Sequence, residues 1–194
     1  WVPADEDLSK LAKSLSIPGL HAPVVVRIDA NRIPHIFAQN DDDLYAAQGF
    51  LVASDRMFQM EFMIRAASGR LSEVLGKRTL DLDIMFHRLG LPDAAQESFE
   101  EMQRDEMRSR ALKSYARGVN AYIASLKDRD LPFEYKLLEI RPIPWEPVNS
   151  ALVQKLMAFN LSFWPQDLLL SRSRARISEE DFLKLFPVDA PVDE

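Results

Sequence analysis

Cysteine is absent from the 194 residues, histidine occurs three times (His21, His35, His87) and glycine six times. Without cysteine there is no disulfide, thiolate nucleophile, zinc knuckle or iron–sulfur site, and either redox compartment remains open. The glycines stand at 19, 49, 69, 76, 90 and 118, so neither a GxGxxG turn nor a GxxxxGK[ST] loop can be written. The nearest approach, Gly69 to Gly76-Lys77, is two residues too long and has Arg78 where a hydroxyl belongs. Basic excess is also missing: 24 Lys and Arg against 30 Asp and Glu give a net charge of -6, without the footprint that phosphate binding needs. Arg104, Arg108, Arg110, Lys113 and Arg117 alternate with Glu100, Glu101, Asp105 and Glu106, which reads as a solvated helix face. No apolar run approaches the ~18–20 residues that cross a bilayer. A soluble chain with no nucleic-acid partner and no membrane insertion is expected.

What is present is an ordinary globular composition, 47% hydrophobic and 28% charged, long enough for one domain with a real core. Trp1 in place of methionine suggests upstream processing or omission. Residues 5–15 have helical spacing ended by Pro18-Gly19, an N-terminal helical extension over 1–22. Residues 22–29 and 33–38 are short β-branched runs joined by Ala30-Asn31-Arg32, a hairpin or pair of edge strands, with Asn31 the natural left-handed residue. From Asp41 the period becomes helical, with Asp41, Asp42 and Asp43 as cap and first-turn charge, and runs to Ala67. A short helix over 70–75 ends at Gly76, and 77–91 shows no clear period.

Pro92 opens a long helical stretch whose second half carries the stripe Leu112, Tyr115, Ala116, Val119, Tyr122, Ile123, Leu126. Four prolines make 131–147 a rigid connector with a short helix at 133–138. A further helix runs from about Asn149 to Trp164. The last begins at a capping box, Ser178-Glu-Glu-Asp181, and stops at Pro187, leaving an acidic tail over 188–194 that looks frayed or cut.

A nucleophile needs a base beside it, and no GxSxG elbow or other local arrangement supplies one. His35, in a strand between Pro34 and Ile36, reads as a buried imidazole bonded to a backbone carbonyl. Asp55-Arg56 and Glu61…Arg65 have the spacing of structural ion pairs. The richest segment is 157–164, where helical spacing sets Met157, Asn160 and Leu161 on one face. That is an apolar surface with a single amide, as a pocket for an apolar ligand has, and equally a core helix with its asparagine satisfied internally. Asp167 can cap the segment after Pro165, pair with Arg172 or bind a hard cation, although one carboxylate is far short of the 6 to 8 oxygens of calcium.

Residues 25–76 carry, in order, Val26-Arg-Ile-Asp29, Ile33-Pro-His-Ile36, Asp43-Leu44, Ala47-Gln-Gly-Phe50, Ala53-Ser-Asp-Arg56, Phe58-Gln-Met-Glu61 and Gly69-Arg-Leu-Ser-Glu-Val-Leu-Gly76. This series resembles the start of the penicillin acylase (penicillin amidase) family. Tyr115-Ala-Arg-Gly-Val-Asn-Ala-Tyr-Ile123 and Trp145-Glu-Pro147 resemble later family segments, so the likeness spans most of 24–172. Departures from the family pattern are Asn31 at the glycine of a D-x-x-G-[VI]-P-H-I turn, Ile64 for the first of two arginines, and Asn149 where an acid often follows W-x-P.

The resemblance implies an N-terminal-nucleophile hydrolase, in which a secreted precursor cuts itself into a smaller α chain and a larger β chain that begins with the nucleophilic Ser, Cys or Thr. The chain would then be a single α subunit over 1–194, with 23–187 as the acylase region and 188–194 as a processed tail. Its fold would be α+β and mainly helical with a few edge strands, completing a four-layer αββα fold with the β chain. It would hold no catalytic residue. It would line the acyl pocket with Met157 and Leu161, place Asn160 where penicillin G acylases have a carboxylate-contacting arginine, and offer Asp167 as one ligand of a structural calcium. Leucine in place of the family's aromatic points to an aliphatic acyl chain. The implied substrate is an acyl amide of the penicillin, cephalosporin or N-acyl homoserine lactone type, with antibiotic resistance or quorum quenching as its setting, and the location periplasmic or secreted. The reading from a different class is a non-enzymatic helical interaction module that uses the 157–164 stripe.

Overall fold

The computed structural model describes residues 16–162 and 166–186. The expected helix at 5–15, the stop at Pro187 and the acidic tail lie outside the described residues. The chain forms two compact units, Trp1–Met157 and Ala158–Glu194.

In the first unit, β1 (Val25–Ile28) and β2 (Pro34–Phe37) pair antiparallel, Val25 opposite Phe37 and Ile28 opposite Pro34. The hairpin is the expected one, with a difference at its turn. The left-handed residue is Arg32, at φ 65°, rather than Asn31. Arg32 N–H donates to the Asp29 carbonyl (2.9 Å) and Asp29 N–H to the Ile33 carbonyl (3.1 Å). This is a three-residue loop, a tight turn followed by one left-handed residue, and in that geometry the left-handed slot is the third loop position. Counted from Asp29, it is also the glycine position of D-x-x-G-[VI]-P-H-I, so the family glycine corresponds to Arg32. Asp29 Oδ1 locks the loop by accepting the Asn31 and Ile33 amides, each at 2.9 Å.

The first helix, α1 (Asp41–Ala67), has the expected bounds, but its cap is Asn40, whose side chain accepts from the Asp43 amide at 2.9 Å. Asp43 is fully buried and accepts the amides of His21 and Ala22, each at 2.9 Å. The first-turn aspartate therefore pins the segment that leads into β1. Helix α1 bends at Arg56, where φ/ψ of −136°/19° leave the helical region. It ends where Gly69 takes φ +64° at a position that also has no room for a Cβ, which would stand 2.6 Å from the Asp83 carbonyl.

Next come α2 (Ser72–Leu75) and α3 (Leu80–Leu89), the latter falling in the stretch where no period was legible. The long helical stretch is two helices, α4 (Leu91–Gln103) and α5 (Glu106–Ser125), parted at 104–105, where Asp105 caps α5 by accepting the Arg108 amide. The core is α1 against α5. A Cβ on Gly118 would lie 1.8 Å from the Ala46 carbonyl oxygen, and one on Gly49 2.2 Å from that of Tyr115, so the two backbones touch. Phe50 and Tyr122 meet edge to face beside the crossing, ring centroids 5.4 Å apart.

A buried charged node closes the far end. Glu61 on α1 accepts from Arg65 (2.8 Å) and from the hydroxyl of Tyr135 (2.8 Å) on α6 (Phe133–Leu137). Its second oxygen also takes the Ile143 amide at 3.2 Å. Arg65 reaches on to Glu73 of α2 at 2.7 Å. Burial and the neighbouring Glu61 carboxylate push the Tyr135 phenol up, so it stays a donor. Helix α7 (Pro147–Ser162) leaves this region.

The second unit holds α8 (Gln166–Arg174) and α9 (Glu179–Leu185). Ser178 is the expected N-cap: its Oγ accepts the Asp181 amide at 3.1 Å and donates to the Asp181 carboxylate at 2.6 Å. The Arg174 guanidinium lies over the Phe182 ring, 5.4 Å from its centroid, and pairs with Glu179.

Candidate functional site

The start of α7 is positioned by a side-chain amide on α5. Asn120 Oδ1 accepts the Trp145 amide at 2.8 Å and Nδ2 donates to the Trp145 carbonyl at 3.0 Å. The Tyr115 ring packs edge-on against the Trp145 indole, centroids 6.3 Å apart. Pro147 at the first helical position requires no amide partner, which fixes where the helix begins. Ala151, Leu152 and Leu156 turn inward and are buried.

The expected site residues lie further along α7 and in α8. Met157 is 50% exposed and Leu161 72% exposed, and Asn160 is exposed as well. The core-helix reading, with an internally satisfied asparagine, does not describe these side chains. Spacings of three and four residues place the three on one face of α7. Asp167 sits exposed in the first turn of α8 and forms no ion pair with Arg172 among the described residues. Among those residues no group of three His, Asp or Glu is placed to hold a metal. Asp167 can thus offer one carboxylate, and the remaining ligands of a calcium ion would have to come from elsewhere.

His35 departs from expectation. Its ring is exposed, and Nε2 pairs with Asp29 Oδ2 at 3.1 Å across the hairpin end. The alternation that leaves Ile36 half-buried turns His35 to the open face, and the partner six residues back was invisible to local spacing. The Ile33 amide, with His35 and the Asn31 amide, holds the Asp29 carboxyl below its usual range. His21 bonds Asp43 at 3.3 Å, and among the described residues no serine or threonine hydroxyl is bonded to a histidine ring. Glu61–Arg65 is the structural ion pair that its spacing predicted, and Asp55–Arg56 an exposed one. Asn120 was missed as a positioning residue; its only signal was that it and Trp145 lie in the two later family segments.

Residues 23–192 match the family model described as penicillin amidase. The chain belongs to the penicillin amidase family. It is 43% identical over 158 residues, 81% of its length, to the penicillin acylase 2 proenzyme of Pseudomonas sp. (strain SE83). It is 34% identical over 160 residues to the acyl-homoserine lactone acylase QuiP of Pseudomonas aeruginosa, 82% of this chain. It spans about a fifth of these relatives, 20% and 18% of their lengths. Among solved structures, a thermostable penicillin G acylase from Alcaligenes faecalis superposes with a TM-score of 0.71 at 24% identity, covering 89% of this chain and 95% of that one. The mainly helical penicillin amidase fold with a two-stranded sheet is therefore shown. No helix among the described residues is long and apolar enough to cross a membrane.

Proposed function

We propose that this chain is the α subunit of a heterodimeric acylase that hydrolyses an amide bond, with the nucleophile supplied by the N-terminal Ser, Cys or Thr of a β chain cut from the same precursor. The observation that carries the reading is a mismatch of lengths. The chain is a fifth of a family member named as a proenzyme, yet covers 95% of a solved acylase chain. A precursor divided into pieces of this size explains both. The exposed hairpin faces, with Val25, Ile28 and Phe37 more than half open, suit strands awaiting a larger sheet.

In this reading the terminal hydroxyl or thiol attacks the amide carbonyl, the C–N bond breaks and the amine leaves with a proton relayed by the α-amino group. Water then hydrolyses the acyl ester or thioester. The role of this chain is to line the acyl pocket: Met157 and Leu161 supply aliphatic wall, and Asn160 a neutral amide in place of an arginine. The relatives named for penicillin and for acyl-homoserine lactones support an acyl amide substrate, and the leucine supports an aliphatic acyl group. Asp167 would contribute one ligand to a structural calcium, and the location would be periplasmic or secreted.

The test is expression of the whole precursor, N-terminal sequencing of its chains and a panel of penicillins, glutaryl cephalosporins and N-acyl homoserine lactones. Two chains, the second opening on Ser, Cys or Thr, with amine release from one class, are expected. An uncleaved polypeptide, or no hydrolysis across the panel, would remove the proposal. Calcium is tested by metal analysis of the purified protein, with Asp167→Asn expected to lose the bound ion.

A further inference from the structure

Between Arg141 and Glu146 the chain belongs to no helix or strand, so no ladder of its own sets its register. Prolines at 142 and 144 leave it few amides with which to bond at all. Of the three that remain before α7, those of Ile143, Trp145 and Glu146, two are taken by side chains of the α1–α5 core. The Ile143 N–H donates to Glu61 Oε2 at 3.2 Å and the Trp145 N–H to Asn120 Oδ1 at 2.8 Å. These anchors stand on either side of Pro144 and come from different helices. Two points of attachment fix a direction as well as a position.

Glu61 is held ready for this bond. Its side chain is almost wholly buried, and Arg65 on the same helix occupies Oε1, which leaves Oε2 to the Tyr135 hydroxyl and the Ile143 amide. The anchored segment runs directly into α7, where Ala151, Leu152 and Leu156 are buried. Their apolar contacts press the helix inward but are non-directional, so its aim depends on the polar anchors at its start. Met157 lies ten residues beyond Pro147, about 15 Å along the axis, and a tilt of about 5° at the start would carry it about 1.3 Å sideways. A displacement of about 1 Å is enough to change turnover about 10²-fold where geometry is catalytic. We infer that Glu61 is a positioning residue of the acyl pocket: through the Ile143 amide it sets, together with Asn120, the entry angle of α7 and so the place of Met157. This rests on the acylase reading, in which Met157 lines that pocket.

The experiment uses the whole processed enzyme carrying Glu61→Asp. The shorter side chain withdraws the carboxylate by about 1.5 Å and keeps its charge beside Arg65, so the buried guanidinium is not orphaned. Hydrogen exchange at the Ile143 amide reads the anchor, and kcat/KM across an acyl chain-length series reads its consequence. Exchange at Ile143 is expected to quicken about tenfold or more, as for an amide that has lost its partner. The ratio of long-chain to short-chain kcat/KM is expected to move about threefold or more, with the change carried by KM. Tyr135→Phe is the comparison: it removes the other donor to Oε2 and leaves Ile143 bonded, so stability should fall while the ratio keeps its wild-type value. If Glu61→Asp does not accumulate, Ile143→Pro deletes the same bond with the Glu61 node intact and should move the ratio. Unchanged exchange at Ile143, an unmoved ratio, or an equal shift in Tyr135→Phe would each overturn the inference and leave the acylase reading standing. A wild-type enzyme that hydrolyses no member of the series would remove that reading, and the role of Glu61 with it.

Discussion

Asn120 and Trp145 bond like two rungs of a sheet: one side-chain amide satisfies both the N–H and the C=O of a single backbone residue. Asn120→Ala leaves both groups partly buried without partners. At roughly 1–3 kcal/mol for an orphaned group, the assembled protein should lose about 2–3 kcal/mol in denaturant unfolding. Asn120→Asp, which keeps the acceptor and removes the donor, should fall between. Wild-type stability in the alanine variant would show that water replaces the amide.

The α1–α5 crossing has no space for a methyl group. Gly118→Ala would put a carbon 1.8 Å from the Ala46 carbonyl oxygen, so the helices must part. Overpacking costs of about 1–3 kcal/mol or more are expected, seen as a lower midpoint and reduced soluble yield. Gly90→Ala provides a contrast, since nothing lies within 4 Å of its Cβ position and only its positive φ opposes the change.

Among the described residues, two side chains occupy left-handed backbone, Arg32 at φ 65° and Glu139 at φ 53°. Glu139 follows α6, where the Ile140 amide reaches back to the Tyr135 carbonyl at 3.1 Å. A left-handed L-residue costs about 1–2 kcal/mol, partly offset by the extra unfolded-state freedom of glycine. Arg32→Gly and Glu139→Gly should each stabilise by about 0.5–1 kcal/mol, measured as Tm. A lowered Tm in either would mean that the side chain makes contacts worth more than the strain.

Acid stability should depend on Asp43. Burial pushes its carboxyl up, but the donors of His21, Asn40 and Ala22 outweigh this and hold it at about 2. A folded-state pKa below the ordinary 3.8 contributes stability that is present above pH 3.8 and lost as pH falls toward about 2. Asp43→Asn should lower stability at neutral pH and flatten its fall across that window. An unchanged acid limb in the variant would place the titration elsewhere.

At the proposed acyl wall, Met157→Ala and Leu161→Phe should move acyl-length preference in opposite senses. A methylene in an apolar pocket is worth about 1–3 kcal/mol, so ratios of kcat/KM across a chain-length series should shift about tenfold or more. Unchanged ratios would take these residues off the pocket.

Elements with strong local signals were legible. Helix α1, the hairpin, the Gly76 stop and the Ser178 cap each follow from a period or a capping residue that acts within a few positions. What escaped were relations over distance. Helix α3 hid because its inward positions include Asp83, a residue whose burial is justified only by amides eleven and twelve residues earlier. His35 was misplaced because its partner lies across a turn, and Asn31 was preferred to Arg32 because propensity outranked loop geometry. The exposure of Met157 and Leu161 was beyond the sequence for a different reason: apolar helical spacing is the same for a core and for a surface awaiting a partner.

The Glu61 node also sets an order of events. Its partners Tyr135 and Ile143 lie 74 and 82 residues downstream. During synthesis from the N-terminus, α1 and its internal Glu61–Arg65 pair are complete long before either has left the ribosome, and the Glu61 oxygen that Tyr135 and Ile143 share must stay hydrated until they arrive. The nascent chain therefore holds its central helix open at one end until residues 131–147 have emerged, and the step that seals it is the return of that connector.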